Sequence, residues 1–367
     1  MRTEIYANNL NVKIITRKIL FYCIVILCIV LAGGAIVTID YESFEYVYYN
    51  AHTVNVEPGY LFLCKLCLEM GLSYQGFRLV LFSIAYLILF SSLGKISGYS
   101  LSLLCAYIVY PMCYDAYNIK NTLMMSIIVK AILNLVNYKK PKYLKSLMLF
   151  IIAVSIHRAA IVYIMMIAVI YIIERKKIKP FFKVLLGMLL CYFIACVIYR
   201  PLITISVGWI SNIILASNIL RETYGYLTTE GNWGFIIYLF PSLCMLLVSY
   251  FYLKSFDNSI IVNENQTKLS TCSERYFYIT ATTCFYIIMV INNSTTFRLI
   301  RNVFVVSYAY IIGMSQYFIM HNQKRYFWYA RIILVIMIIY CFFVFTFGSQ
   351  EETFISMFTD NWILENI

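Results

Sequence analysis

Long apolar runs alternate with short polar connections along the whole chain, at 19–37, 77–94, 99–114, 119–136, 143–157, 159–173, 181–199, 233–253, 276–292, 297–320 and 327–347. Most approach the roughly 20 residues that a helix needs to cross a bilayer. In lipid each backbone N–H and C=O needs an internal partner, so such runs predict α-helices. The pattern predicts an all-α, polytopic integral membrane protein of about eleven transmembrane helices, organised as a single domain over 1–367. The stretch 59–72 is shorter and interrupted by Lys65 and Glu69, and it predicts a re-entrant or interfacial helix. The first run carries no small-residue cleavage pattern after it and reads as a retained helix.

Charge orients the spans. Arg2, Lys13, Arg17 and Lys18 precede the first run and place the N-terminus in the cytoplasm. Further basic groups then fall at alternate loops: Lys139, Lys140, Lys142 and Lys145; Arg175, Lys176, Lys177, Lys179 and Lys183; Lys254, Lys268 and Arg275; Lys324, Arg325 and Arg331. The loop Ile39–Tyr60 is the opposite case, with Asp40, Glu42, Glu45 and Glu57 and no Lys or Arg, so it faces outward. The segment 200–232 is the longest outer connection and holds Arg200, Arg221, Glu222, Tyr224, Tyr226 and Glu230, with Trp233 at its end. Loops of that length commonly carry function.

Composition agrees and removes one class of partner. The chain is 62% hydrophobic and only 13% charged, with a mean hydropathy of +0.79. Its net charge of +12 would suggest nucleic acid in a soluble protein, but the lysines flank apolar runs, so topology accounts for them and no nucleic-acid partner is expected. Most of the twelve cysteines sit within or beside apolar runs, where they act as small hydrophobes. Cys64 and Cys67 form a C-x-x-C without a second pair or nearby histidines, which is a weak metal signal. No phosphate-binding loop, G-x-S-x-G elbow or H-E-x-x-H motif is present, and no internal repeat of the kind seen in many transporters.

Candidate chemistry gathers on the outer side. Arg298 and Arg301 open the run 297–320 at i, i+3 spacing, on one face near a helix N-terminus, against the positive-inside bias. They read either as an anion site for a diphosphate or carboxylate, or as two snorkelling anchors. Asn292, Asn293, Thr295 and Thr296 precede them as neutral donors. His157 and Arg158 occupy the outer junction of two closely spaced runs, where His157 serves as general base, as a hydrogen-bond donor to phosphate or as a capped helix-end side chain. Tyrosines and Trp233 of the outer segments can stack on sugars or form an interface belt.

The ordered segments "IDYESFEYVYYN", "EPGYLFLCKLC", "YNIKNTLMMSIIVKAI", "SIHRAAIVYIMM" and "FRLIRNVFVVSYAYIIG" resemble the EpsG-like, Wzy-type polysaccharide polymerases of bacterial surface-glycan pathways, over roughly Asp40 to Gly313. Two departures stand out. Lys120-Asn121 occupies the place where such proteins commonly carry Arg-Gln, and Arg158 follows the histidine where a small residue is common. The resemblance implies polymerisation of undecaprenyl-diphosphate-linked oligosaccharide repeat units at the outer face of the bacterial cytoplasmic (inner) membrane, giving O-antigen or capsule.

Under that reading the candidate catalytic groups are Glu57, Asp40 and His157. The diphosphate falls to Arg298, Arg301, Arg158, Arg221 and Lys120, and the glycan to Tyr60, Tyr224, Tyr226 and Trp233. Arginines can supply the charge that a diphosphate leaving group needs, so no metal or other cofactor is expected. The implied partners are the lipid-linked oligosaccharide, the bilayer and a chain-length regulator protein. Two alternatives stay open: an O-antigen ligase or related polyprenyl-phosphate-dependent glycosyltransferase, and a flippase of the same lipid-linked sugar.

Overall fold

The computed structural model describes residues 2–36, 40–136, 140–176, 235–257, 264–286, 297–320, 324–347 and 351–365. They are all-helical: α1 (Arg2–Gly34), α2 (Tyr41–Tyr49), α3 (Pro58–Glu69), α4 (Tyr74–Ser97), α5 (Leu101–Val109), α6 (Met112–Tyr117), α7 (Ile119–Val136) and α8 (Tyr143–Ile156). A 3-10 turn, Arg158–Tyr163, leads into α9 (Ile164–Lys176). Then come α10 (Phe235–Asp257), α11 (Glu264–Phe285), α12 (Phe297–Met320) and α13 (Lys324–Cys341), which continues as a π turn over Phe342–Phe347. Two short helices follow, α14 (Glu351–Thr359) and α15 (Trp362–Glu365). The expected span 181–199 and the outer segment 200–232 lie outside the described residues.

Among the described residues, five helices are long and apolar enough to cross a membrane alone: Ile14–Gly34, Tyr74–Ser97, Ile119–Val136, Ile237–Lys254 and Trp328–Thr346. Burial ranks them. The α7 span is 83% buried and the α1 span 28%, so α7 is central and α1 peripheral. Ile14, Ile19, Ile26 and Leu27 of α1 are exposed apolar side chains, which is the surface a lipid-facing helix presents. Around α7 lie α4, α8, α11 and α12, while α10 packs on α11 and α13.

Several runs resolve differently from the hydropathy reading. The run 99–114 is two helices, α5 and α6, because Pro111 lacks the N–H that would continue the first. Runs 143–157 and 159–173 are α8 and α9, separated at His157, whose extended backbone ends α8. Helix α11 begins at Glu264 rather than 276, since its first turns are polar and a hydropathy reading passes over them. The short stretch after the acidic segment 40–57 is α3, twelve residues or about 18 Å, well under the thickness of the hydrocarbon core. It buries Tyr60, Cys64 and Cys67 and exposes Phe62, Leu66 and Met70, so it has one protein face and one open face. Gly71 ends it with φ +75°, a left-handed value that favours glycine.

The C-terminal segment folds back on α1. Asn361 Nδ2 donates to the carbonyls of Val30 and Leu31, both at 3.2 Å, and Ile36 N donates to Asp360 O at 3.1 Å. This ties the last described residues to the end of α1 that leads into the Asp40 loop.

Candidate functional site

Four helix ends converge on Glu57. Pro58 opens α3 at a position where a missing N–H costs nothing. At Gly59 a Cβ would stand 2.4 Å from Ser155 Oγ and 2.8 Å from Ser155 O, so only glycine lets α3 sit this close to the last turn of α8. That contact sets Glu57 beside the residue after α8, His157, whose Nδ1 lies 3.3 Å from Glu57 Oε1. The backbone N–H of Arg158 points to the same oxygen at 3.4 Å. Lys120, second residue of α7, donates from Nζ to Glu57 Oε2 at 2.8 Å. Its ammonium also lies over the rings of Tyr60 (5.5 Å) and Phe44 (5.9 Å). A compact lysine suits this place because it meets one carboxylate oxygen and two ring faces, while the second oxygen faces His157 and the Arg158 N–H.

Asp40 and Arg298 extend the cluster. Asn118 donates from Nδ2 to Asp40 Oδ2 at 3.4 Å, and its own Oδ1 accepts from Asn121 N at 2.9 Å, which caps the start of α7. Burial raises the Asp40 carboxyl above its ordinary value, opposed by the fields of Arg298 and Lys120. Arg298 is half-buried and has no hydrogen bond or ion pair among the described residues. Among the described residues it is the cation of this cluster left available to an anion.

Arg301 is placed otherwise. It is buried, its Nη2 stands 3.5 Å from Asp115 Oδ1, and its guanidinium lies 4.5 Å from the centre of the Tyr114 ring. Asp115 is itself buried and accepts from Tyr107 Oη at 2.8 Å. The i, i+3 pair therefore divides: Arg298 opens toward Asp40, and Arg301 is engaged with a carboxylate inside the bundle.

The carboxyl of Glu57 sits well below the ordinary glutamate value of 4.5: burial alone would raise it, but His157 and the Lys120 ammonium together outweigh burial. A depressed folded value contributes stability that is present above the ordinary value and lost as pH falls toward the folded one. Wild-type protein is therefore expected to melt above Glu57→Gln at pH 7, with the gap closing as pH falls below 4.5. Melting curves of both in detergent between pH 7 and pH 3.5 check this, and a constant gap would refute it.

Of the sequence candidates, Glu57, His157, Lys120, the Arg158 backbone, Asp40 and Arg298 meet at this end of the bundle. Tyr60 is fully buried, edge-on to Phe44 and Phe77, and its ring lies under the Lys120 ammonium. Arg221, Tyr224, Tyr226 and Trp233 lie outside the described residues. Among the described residues no three His, Cys, Asp or Glu side chains are grouped to hold a metal ion, and Cys64 and Cys67 are free thiols.

Sequence reading passed over Arg78. Fully buried, it donates from Nη2 to Ala32 O (3.1 Å) and Ala116 O (3.2 Å) and from Nε to Gly33 O (3.5 Å). It thereby binds the last carbonyls of α1 and α6, immediately before the segments that carry Asp40 and Asn118. An arginine inside an apolar run was the available signal.

No curated protein and no solved structure matches the chain. The EpsG family matches residues 18–358, nearly the whole length and every residue of this cluster, and the chain therefore belongs to the EpsG family, a Wzy-like polymerase family.

Proposed function

We propose that this membrane protein joins oligosaccharide repeat units carried on undecaprenyl diphosphate, at the outer face of the bacterial cytoplasmic membrane. The observation that carries the reading is the juxtaposition of Glu57, ion-paired with Lys120 and 3.3 Å from His157, with the half-buried Arg298, which has no hydrogen bond or ion pair among the described residues, at one end of the bundle. Support for the outer side comes from the distribution of Lys and Arg, which leaves this end facing away from the basic loops.

In the proposed reaction the acceptor sugar hydroxyl attacks the anomeric carbon of the growing chain. A new glycosidic C–O bond forms as the bond to the lipid diphosphate breaks. The hydroxyl proton passes to the Glu57/His157 pair. The electron pair leaves with the diphosphate, whose charge Arg298 and Lys120 receive, helped by Arg158 and, from the outer segment, Arg221. Asp40 orients Arg298. Tyr224, Tyr226 and Trp233 are the proposed sugar contacts. A chain-length regulator is the proposed protein partner.

Deletion of the gene in its native strain tests this on a gel of surface glycan. A ladder that collapses to a single repeat unit supports the polymerase. Loss of all repeats points to ligase or flippase, and an unchanged ladder rejects the reading.

A further inference from the structure

Three fully buried polar residues, Asn121, Asn302 and Tyr163, stand beside the charged cluster and hydrogen-bond to one another rather than to its charged groups. Each sits close in sequence to a charged candidate. Asn121 follows Lys120, Asn302 follows Arg301 and lies one turn from Arg298, and Tyr163 closes the 3-10 turn that begins at Arg158. The two amides pair reciprocally: Asn121 Nδ2 donates to Asn302 Oδ1 at 3.3 Å, and Asn302 Nδ2 donates to Asn121 Oδ1 at 3.2 Å. Asn302 Nδ2 also donates to Tyr163 Oη at 3.2 Å, and that hydroxyl donates to Leu299 O at 2.6 Å.

We propose that Asn121, Asn302 and Tyr163 form a positioning clamp that fixes the register of α7, α12 and the His157 turn, and so the spacing between Lys120, Arg298 and His157. This rests on the proposed polymerase reaction for its catalytic consequence, though not for its structural one. Neighbouring helices in a bilayer gain little from apolar contact that they would not also gain from lipid tails. Apolar contact is also non-directional, and a shift of one residue moves a helix end by 1.5 Å. A displacement of about 1 Å is enough to lower turnover about a hundredfold. Paired amides remove that freedom, because each oxygen has one place to find a hydrogen. The clamp continues outward: Asn121 N is held by Asn118 Oδ1, and Asn118 reaches Asp40.

The test uses two variants of the full chain in nanodiscs. Asn121→Leu/Asn302→Leu removes both amides together, leaves no orphaned partner and keeps the Tyr163 bond to Leu299, so insertion is retained. Tyr163→Phe removes only the hydroxyl. Hydrogen exchange is read at the first turns of α7 and α12, with α4 as internal control. Turnover is read on lipid-linked repeat units, and binding on undecaprenyl diphosphate alone.

The clamp requires faster exchange at those two turns but not in α4, kcat lower by about tenfold or more, and KM and lipid-diphosphate binding within about threefold of wild type. Unchanged exchange, or unchanged turnover in a correctly inserted double variant, overturns it. So does a parallel fall of binding, turnover and melting temperature, which is the signature of a merely structural role. If wild-type protein polymerises nothing, the reaction proposed above fails, and the exchange data alone decide the clamp.

Discussion

Glu57→Gln abolishes chain extension, with turnover lower by about a thousandfold or more, while the protein still inserts. The substitution keeps the shape but only one accepting oxygen, so either Lys120 Nζ, which bonds Oε2, or the Arg158 N–H, which bonds Oε1, loses its partner, and the cost to stability is on the order of 1–3 kcal/mol. What goes is the negative charge. It balances Lys120 and sits 3.3 Å from His157 Nδ1, where it stabilises the imidazolium as the acceptor proton moves. Binding of lipid-linked substrate is retained, since the cations that hold the diphosphate remain. Quantifying polymer from purified variant and substrate in nanodiscs decides the matter, and near-wild-type turnover would eliminate Glu57 from the chemistry.

Arg298→Ala and Arg301→Ala separate chemistry from folding. Arg298 has no hydrogen bond or ion pair among the described residues; on its replacement stability stays within about 1 kcal/mol, and turnover falls by about 100-fold or more. Arg301→Ala strands Asp115, which is fully buried, and costs about 3–5 kcal/mol, seen as reduced membrane-inserted protein and an earlier melt. Removing both charges, as Arg301→Met/Asp115→Asn, restores the fold because two buried charges go together. Polymer made by that folded double variant assigns Arg301 to the scaffold. A folded but inactive one returns it to the diphosphate site beside Arg298. Full turnover in Arg298→Ala would remove the anion site altogether.

The two arginines show where sequence reasoning stops. Their i, i+3 spacing correctly places them on one side of α12, yet spacing says nothing of what stands opposite each. Asp115 lies 186 positions away in sequence and meets Arg301 only because α6 and α12 converge. Tyr60 is a similar case. Its motif "EPGY" marks the start of α3, but a tyrosine beside a candidate site has the same sequence signature whether its ring is open or, as here, fully buried under Lys120.

Sequence alone determined the membrane class, the helical content and most of the residues that gather around Glu57. It could do so because the bilayer imposes local rules: apolar length for a span, basic residues inside, no unsatisfied backbone in lipid. Even the family was legible from short ordered motifs. Tertiary structure alone decided which carboxylate pairs with which cation, that Gly59 is required for the seating of α3 on α8, and that Asn121, Asn302 and Tyr163 stand together. Those are contacts between helix ends far apart in the chain, and hydrogen-bond and ion-pair geometry depends on distances of a few tenths of an ångström that no one-dimensional pattern contains.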